Sequence, residues 1–423
     1  MKKAKIFYFT LQDEQTKEEK LDWFERTRFE QISFDHITPD EKLNWVNLSD
    51  SNYEEFLLLV DKDTKDKGLH KSIFELFSRG VETGRDEWVY DFSIDNLIKK
   101  INFFVGIYNQ STKEQNQDLR IKWNSSLKTH AESKRHLDYQ DNLIVGATWR
   151  PFIHKYFYGE KLLNHRLTQN HYDMYGYHSA LKNENYVICC TDVGTQSPFM
   201  VTATSCIPDL HLVGTAAQCL PLYRYDKDGN CIDNITDWGL TQFQTQYNDR
   251  IITKQDISHY TYAVLHHPAY RTKYELTLKR EFPRLPFYAD FHQWATWGKA
   301  LMDLHLNYEA IAPYELNRVE IATKDNPKAK LKADKVNGVI TLDENTELTG
   351  VPAIAWDYKL GNRSALEWIL DQYKEKKPKD PTIAKLFNTY KFADYKEQVI
   401  DLLDRVCTVS VKTMEIIQQM PVE

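Results

Sequence analysis

The sequence comprises 423 residues, of which 42% are hydrophobic and 13% aromatic, with only 15 glycines and 14 prolines. This composition excludes a low-complexity or collagen-like chain and is typical of a globular protein with large packed cores, and the length suggests two or three domains. The formal net charge of −7 argues against a nucleic-acid partner only if the charge is spread evenly along the chain.

The sequence shows no targeting or membrane signal. The apolar run Ile6 to Leu11 is too short for a signal peptide, and no stretch approaches the roughly 18 apolar residues that span a bilayer. The six cysteines form no CxxC pair, which favours reduced thiols. We therefore expect a cytosolic protein that does not contact membranes.

Four soft or borderline metal ligands, Cys206, His211, Cys219 and Cys231, lie close together in the sequence. Their spacing contains no paired knuckle, so burial of the cysteines as small hydrophobic residues is the favoured alternative to a zinc site. We predict no metal site.

The motifs of nucleotide-driven and methyl-transfer enzymes are also missing. The sequence contains no GxxxxGK[ST] phosphate loop, no GxGxxG after a strand, no GxSxG elbow and no HExxH helix. A Gly-rich loop for a methyl donor and an Asn/Asp-Pro-Pro-aromatic tetrad for a target amine are absent as well. We predict no catalytic residues in this chain.

The N-terminal residues alternate apolar and charged stretches. Residues 4–11 are predicted as a strand, and residues 14–26 as a helix with Leu21 and Phe24 facing inward.

A second pair of elements follows. Trp88–Phe92 is predicted as a strand, and Ser93 as the N-cap of a helix. The polar residues 109–118 suit a linker or an exposed helix face, so we place a candidate domain boundary at residue 110.

Residues 119–171 differ from the rest in charge. They carry nine Lys or Arg against four acidic residues, a local excess of five positive charges, with five histidines interleaved. Such a segment can be a solvated basic face or a surface that contacts phosphates.

The middle of the chain is β-like, and residues 226–230 are predicted as a hairpin tip. The second half is predicted to be mostly helical, with capping boxes at Thr253–Asp256, Ser364–Glu367 and Asp394–Glu397. A lysine-rich stretch at 328–335 leads into a strand and a turn.

Several long stretches resemble the C-terminal part of type ISP restriction–modification enzymes. They are IFELFSRGVETGRDEWVYDF, ATWRPF, CLPLYRYDKDGNCIDNITDWGL, HYTYAVLHHPAYRTKYELTLKREFPRLPFYADFHQWATWGKALMDLHLNYE, GVPAIAWDYKLGNRSALEWILDQYKEKKPKDPTI and FADYKEQVIDLLDRVCTVSVKTM. The resemblance covers essentially the whole chain in order.

This resemblance implies an α+β fold with a mixed, β-containing target-recognition core, a largely helical C-terminal half and a short α/β N-terminal remnant. Residues 1–110 would be the tail of an adenine methyltransferase module, and residues 111–423 the domain that recognises the DNA sequence. The expected partner is double-stranded DNA in the bacterial cytoplasm, together with the remaining methyltransferase, helicase and nuclease part of the enzyme.

In this family S-adenosylmethionine, ATP and Mg²⁺ serve modules whose motifs this chain lacks, so we expect no cofactor here. The sequence could represent a truncated gene, a split subunit or an excised portion of such an enzyme.

Candidate DNA contacts come mainly from the basic segment, because base edges are read by Arg, Lys, Asn or Gln and phosphates are neutralised by Lys and Arg. The first choices are Arg150, His154, Lys155 and Arg166, and Arg150→Ala is expected to weaken specific binding. Phosphate contacts are expected from Lys122, Lys134 and Arg135, and a second, weaker backbone patch from Lys330, Lys332 and Lys335.

Two other functions fit parts of the sequence. Pro39-Asp40 and Asp63-Thr64-Lys65 satisfy a PD-x(n)-(D/E)-x-K pattern of metal-dependent nucleases, although Asp40 lies in a predicted turn. The apolar stripe of the last helix could instead dock a protein partner in a helical scaffold.

Overall fold

The computed structural model describes residues 5–12, 15–39, 51–61, 71–176, 180–321 and 327–422. Of the residues in the nuclease pattern, Asp40 and Asp63–Lys65 lie outside this part of the chain. Among the described residues, no helix is both long enough and apolar enough to cross a membrane.

The helices are, in chain order, α1 (Lys17–Arg26), α2 (Asp86–Val89), α3 (Ile94–Glu114), α4 (Ser125–Glu132), α5 (Gln169–Tyr175), α6 (Asp237–Gln246), α7 (Lys254–His266), α8 (Pro268–Lys273), α9 (Glu275–Leu278), α10 (Phe291–Leu306), α11 (Ala353–Asp357), α12 (Ala365–Gln372), α13 (Pro381–Leu386) and α14 (Phe392–Ile417).

The strands are, in the same order, β1 (Ile6–Tyr8), β2 (Asp35–Ile37), β3 (Leu57–Leu58), β4 (Ser78–Arg79), β5 (Tyr90–Asp91), β6 (Ile144–Arg150), β7 (Ile153–Tyr158), β8 (Val187–Thr191), β9 (Val201–Thr204), β10 (Ile207–Pro208), β11 (Ala217–Pro221), β12 (Tyr223–Tyr225), β13 (Cys231–Asp233), β14 (Arg284–Leu285), β15 (Asn317–Glu320), β16 (Ala329–Asp334), β17 (Val339–Asp343), β18 (Thr346–Thr349), β19 (Lys359–Leu360) and β20 (Arg363–Ser364).

Three four-stranded sheets organise these strands. Their orders are β10-β6-β7-β5, β4-β11-β8-β9 and β15-β18-β17-β16, and all pairings are antiparallel except the parallel pair of β10 and β6. Helices and mixed sheets together make this an α+β fold, as predicted.

The buried apolar side chains form two clusters. The first joins α3, the sheet of β6 and β7, the C-terminal sheet and α14, and includes Trp88, Phe104 and Phe157. The second is built on α7 and α10 and includes Tyr260 and Trp294. The aromatic-rich composition is therefore used to fill two cores.

Local capping signals are confirmed at three helices. Ser93 accepts a hydrogen bond from the backbone N–H of Asn96 at the start of α3. The capping boxes at Thr253–Asp256 and Ser364–Glu367 are both formed. Residues 226–230 form the tip between β12 and β13, as predicted.

Other predictions need correction. Leu21 and Phe24 are exposed and do not face inward, and no residue of α1 is buried. The predicted strand Trp88–Phe92 begins as the end of helix α2 and becomes a strand only at Tyr90–Asp91.

The C-terminal half also differs in two respects from the predicted helical arrangement. It contains the four-stranded sheet of β15 to β18 in addition to its helices. Its last helix begins at Phe392, before the predicted box at Asp394, and Glu397 pairs with Arg318 on β15 instead.

Helix α3 continues through the predicted boundary at residue 110 to Glu114. Residues 109–114 are therefore helical, which fits the alternative of an exposed helix face rather than a linker. The division into 1–110 and 111–423 remains a prediction.

Helices α7 and α10 approach closely enough that only glycine fits at their crossing. A Cβ atom built on Gly298 would lie 1.7 Å from the backbone oxygen of His259. We predict that Gly298→Ala lowers the free energy of unfolding by about 1–3 kcal/mol or more, since the helices must separate. A urea titration measures this loss.

The matched control is Gly106→Ala in α3, where a Cβ atom meets nothing within 4 Å. That change should raise the stability by roughly 0.5–1 kcal/mol, because alanine loses less backbone entropy in a helix. Equal effects of the two substitutions would contradict the close crossing.

Candidate nucleic-acid interface

The basic segment of residues 119–171 does not form one continuous solvated face. It contains helix α4, the hairpin of β6 and β7, and the beginning of α5. Its cationic side chains fall into an internal group on the hairpin and an exposed group on the connections around it.

Arg150, at the end of β6, forms an internal ion pair. Its Nη1 lies 2.6 Å from Oδ1 of Asp209, and its guanidinium lies 4.0 Å from the centre of the Trp149 ring. The side chain of Arg150 is 15% exposed and that of Asp209 only 2%. Burial raises the pKa of the Asp209 carboxyl, and the charge of Arg150 acts in the opposite direction.

His154 and Lys155, both on β7, are engaged in similar contacts. His154 Nδ1 lies 3.3 Å from Oε1 of Glu309. Lys155 Nζ lies 4.6 Å from the centre of the Phe92 ring and 4.4 Å from that of Trp149. Burial there lowers the pKa of Lys155 to about 7.

Arg150 and Lys155 thus have internal partners, whereas the partner of His154, Glu309, is 64% exposed. Their role as DNA contacts remains a prediction. What the structure does assign to Arg150 is the neutralisation of a buried carboxylate.

The other cations of the segment are exposed. The side chain of Arg166 is 57% exposed, and its Nε lies 3.4 Å from Oε2 of Glu82. Lys134 and Arg135 follow α4, where Lys134 adopts a left-handed conformation with φ of 53°. Lys122 is exposed on the connection between α3 and α4. These four side chains are placed where a ligand can reach them.

The predicted second patch lies on a different sheet. Lys330 and Lys332 project from β16, which is the edge strand of the C-terminal sheet. Lys335 is instead paired with Glu367, at 2.9 Å between Nζ and Oε1. Within the described ranges Lys330 and Lys332 have no acidic partner, and the contact of the patch with DNA remains a prediction.

A cleft of about 800 Å³ opens beside the internal ion pair. It is lined by Val81, Glu82, Thr83, Gly84, Arg85, Asp86, Glu87, Trp88, Lys122, Trp149, Asp209, Leu210, His211, Lys379 and Asp380. Carboxylates outnumber cationic side chains in this lining, so the cleft itself is unsuited to a phosphate. Lys122 and Lys379 are exposed cations at the same place.

Arg85 is the most deeply buried cation of the cleft lining. Its guanidinium lies 5.3 Å from the centre of the Phe104 ring, and no group in the described residues accepts a hydrogen bond from its nitrogens. Burial lowers its pKa to about 10, so the group still carries its charge at neutral pH. Its backbone N–H donates to Thr83 Oγ1, which stabilises the turn before α2.

The four candidate zinc ligands do not form a site. Cys219 lies on β11 with its Sγ 3.7 Å from that of Cys189, whereas Cys231 is exposed on β13. Throughout the described ranges, no group of three or more His, Cys, Asp or Glu side chains is arranged to hold a metal ion.

Two exposed cations, Arg79 on β4 and Lys379 in the cleft lining, were not among the DNA contacts predicted from the sequence. Lys379 belongs to the run KEKKPK, and the density of lysines in that run was a visible signal. Arg79 gave no signal, because the carboxylate that holds it, Asp192, lies far along the chain.

Comparison with known proteins identifies the type of chain. A family model described as the type ISP C-terminal specificity domain matches residues 72–402. No curated protein matches the sequence.

Three solved structures resemble the chain over most of its length. A DrdV–DNA complex matches at 45% identity and a TM-score of 0.84, over 99% of this chain and 43% of that one. The type ISP restriction–modification enzyme LlaGI, as a nuclease-deletion mutant with a DNA substrate mimic, matches at 29% identity and a TM-score of 0.76, over 99% and 39%.

The ATP-dependent type ISP restriction–modification enzyme LlaBIII, bound to DNA, matches at 25% identity and a TM-score of 0.77, over 92% of this chain and 26% of that one. The present chain therefore spans less than half the length of each of these three relatives.

The internal ion pair generates a stability prediction. Arg150→Met leaves the Asp209 carboxylate buried without its partner, which should lower the free energy of unfolding by about 3–5 kcal/mol at neutral pH. Without Arg150 the pKa of Asp209 in the folded chain rises further above its unfolded value. The loss is then largest above that raised pKa and shrinks as the pH falls, because Asp209 becomes protonated.

Urea titrations at several pH values measure this effect. The double variant Arg150→Met/Asp209→Asn is the control, and it should regain much of the stability because it buries no unpaired charge. A loss for Arg150→Met that is the same at every pH would show that Arg150 does not act on Asp209.

Proposed function

The chain belongs to the type ISP restriction–modification family, by its match to the family's C-terminal specificity domain, and on this premise we propose that it recognises a specific sequence in double-stranded DNA. The observation that carries the proposal is the alignment of nearly the whole chain with a structure solved as a DNA complex. The exposed cations around the cleft support it.

Two kinds of side chain would supply affinity and sequence preference separately. Lys122, Lys134 and Arg135 are exposed and would neutralise phosphates, which supplies affinity that does not depend on sequence. Arginines and amides held in fixed positions would read the base edges in a groove, which supplies the preference for one sequence. The net charge of −7 does not oppose this, because the cations are concentrated locally.

The rest of the proposed activity belongs to parts that this chain does not contain. In a complete enzyme of this family, recognition would position the DNA for N6 methylation of an adenine and for translocation and cleavage. S-adenosylmethionine, ATP and Mg²⁺ would serve those other modules. We propose that these modules are its partners and that it acts in the bacterial cytoplasm.

Binding of the 423-residue chain to duplexes at increasing salt tests this function. We expect a selection from random duplexes to return an enriched sequence, and the logarithm of the affinity for it to fall linearly with the logarithm of the salt concentration. Lys122→Ala should weaken binding to all sequences about equally and reduce the salt slope by about 1, because one phosphate contact is lost.

The control is Lys412→Ala, which removes an exposed lysine from the C-terminal helix and should leave the slope unchanged. Failure to enrich any sequence would exclude a recognition function for this chain. Cleavage that requires a divalent metal and is abolished by Asp63→Ala would favour the nuclease alternative, and capture of a protein without DNA binding would favour the helical scaffold.

A further inference from the structure

Arg79 forms an ion pair in which only the carboxylate is buried. It is the last residue of β4, and its Nη2 lies 2.6 Å from Oδ2 of Asp192. The Asp192 side chain is 4% exposed, whereas that of Arg79 is 53% exposed. The guanidinium is therefore held from beneath by a fixed negative charge while its outer side faces solvent.

The carboxylate that holds Arg79 is itself fixed. Asp192 Oδ1 accepts hydrogen bonds from the backbone N–H of Val193 and from Nε2 of Gln218, both at 2.8 Å. Gln218 lies directly opposite Arg79 in the antiparallel pairing of β11 and β4. Asp192 directly follows β8, which pairs with β11 in the same sheet as β4, so the strand register holds the acid close to the arginine.

The backbone at Arg79 is equally constrained. Its carbonyl oxygen lies 2.9 Å from Nε2 of His171, a buried residue of α5. At the next position, a Cβ atom built on Gly80 would lie 2.4 Å from the backbone oxygen of Asp209. The arginine therefore starts from a backbone that cannot shift, which is the condition for a pre-organised contact.

Most of the hydrogen-bonding capacity of this guanidinium is unused. The contact of Nη2 with Asp192 is an ion pair without hydrogen-bond geometry, and the described residues offer no acceptor to Nε or Nη1. Pairing the buried Asp192 carboxylate requires only one positive charge at this position, and not the planar fork of donors that arginine carries. The arrangement is better matched to orienting the donors of Arg79 toward a ligand.

A second arginine pairs with a carboxylate of the same segment, although that carboxylate is 33% exposed. Glu82, three residues further along the same segment, pairs with the half-exposed Arg166. The backbone N–H of Arg166 donates to the carbonyl oxygen of Glu82 at 2.8 Å. Asn170, four residues after Arg166, donates from Nδ2 to the carbonyl oxygen of Phe77 at 3.1 Å, which ties this part of the chain to the start of β4. We call Arg79, Glu82, Arg166 and Asn170 the arginine face.

The chemistry of the pair indicates which part of DNA it suits. A carboxylate 2.6 Å from the guanidinium largely cancels its net charge, so attraction to a phosphate is weakened. The edge of guanine is uncharged and presents two acceptors, O6 and N7, to which an arginine fork can donate two parallel hydrogen bonds. An arginine whose charge is balanced by a carboxylate in this way therefore favours guanine over phosphate.

We propose that Arg79, oriented by Asp192, is a specificity-determining residue that reads a guanine in the major groove of the target site. This inference rests on the proposed function and names the residue that supplies part of its sequence preference. Asp192 acts on the DNA only through Arg79 and is a positioning residue.

Selection from random duplexes, followed by titration of the selected duplex and of a random duplex, tests the proposal. Arg79→Ala should lower affinity for the selected duplex by roughly 5- to 150-fold, leave affinity for random duplex nearly unchanged, and abolish the preference for guanine at one position. Arg79→Lys keeps the charge but not the planar fork, so the salt slope should remain while that preference weakens.

Asp192→Asn removes the orienting charge and should weaken the preference at the same single position as Arg79→Ala. The matched control is Arg318→Ala on β15, which removes an arginine paired with Glu320 of the same strand and with Glu397 of α14 and should leave the selected sequence unchanged. Urea titrations of all variants separate loss of fold from loss of preference. Arg79→Ala should lower the free energy of unfolding because it leaves the buried Asp192 carboxylate without its charge partner, whereas Arg79→Lys keeps a positive charge beside Asp192 and tests the preference in a less destabilised chain.

Two results would overturn the inference while leaving the proposed function standing. One is selection of the same guanine with the same strength by Arg79→Ala. The other is an equal loss of affinity for selected and random duplexes, which would make Arg79 a phosphate contact. If the unaltered chain selects no sequence at all, the proposed function fails and this inference fails with it.

Discussion

The close passage of Gly80 over the backbone of Asp209 is the constraint on which the described architecture depends. A side chain at Gly80 would collide with that backbone, whereas glycine allows Val81 to exchange hydrogen bonds with Pro208 and Leu210 on either side of it. The segment that contains Gly80 then pairs with both central sheets, through β4 on β11 and through β5 on β7. One stretch of chain therefore fixes the relative position of the two sheets and of the helix α3 that follows.

This constraint sorts the charges of the central region into two groups. Beneath the segment, Arg150 neutralises Asp209, and Lys155 lies between aromatic rings, so these cations are committed to the interior. At the surface, Arg79 and Arg166 are held by carboxylates but remain half exposed. A strongly basic sequence segment thus does not identify which of its members face outward, and its contact with DNA remains a prediction.

The signals that sequence reasoning could use were local ones. The caps at Ser93 and Thr253, and the hairpin tip after β12, depend on residues within four positions of each other and were predicted. The pairs Arg150–Asp209 and Arg79–Asp192 join residues that are distant in the sequence, so nothing near Arg150 indicated that it is occupied and nothing near Arg79 indicated that it is oriented. The family resemblance supplied the overall function, whereas the individual contacts required the fold.

We propose that the arginine face, rather than the β6–β7 hairpin or the lysines of β16, contacts the DNA. Hydrogen–deuterium exchange of the chain with and without its selected duplex tests this directly. Bound DNA should slow exchange at residues 78–85 and 165–170, including the amide of Arg166 that donates to Glu82. Protection confined to the hairpin turn at 151–152 or to residues 329–334, with residues 78–85 unchanged, would contradict it.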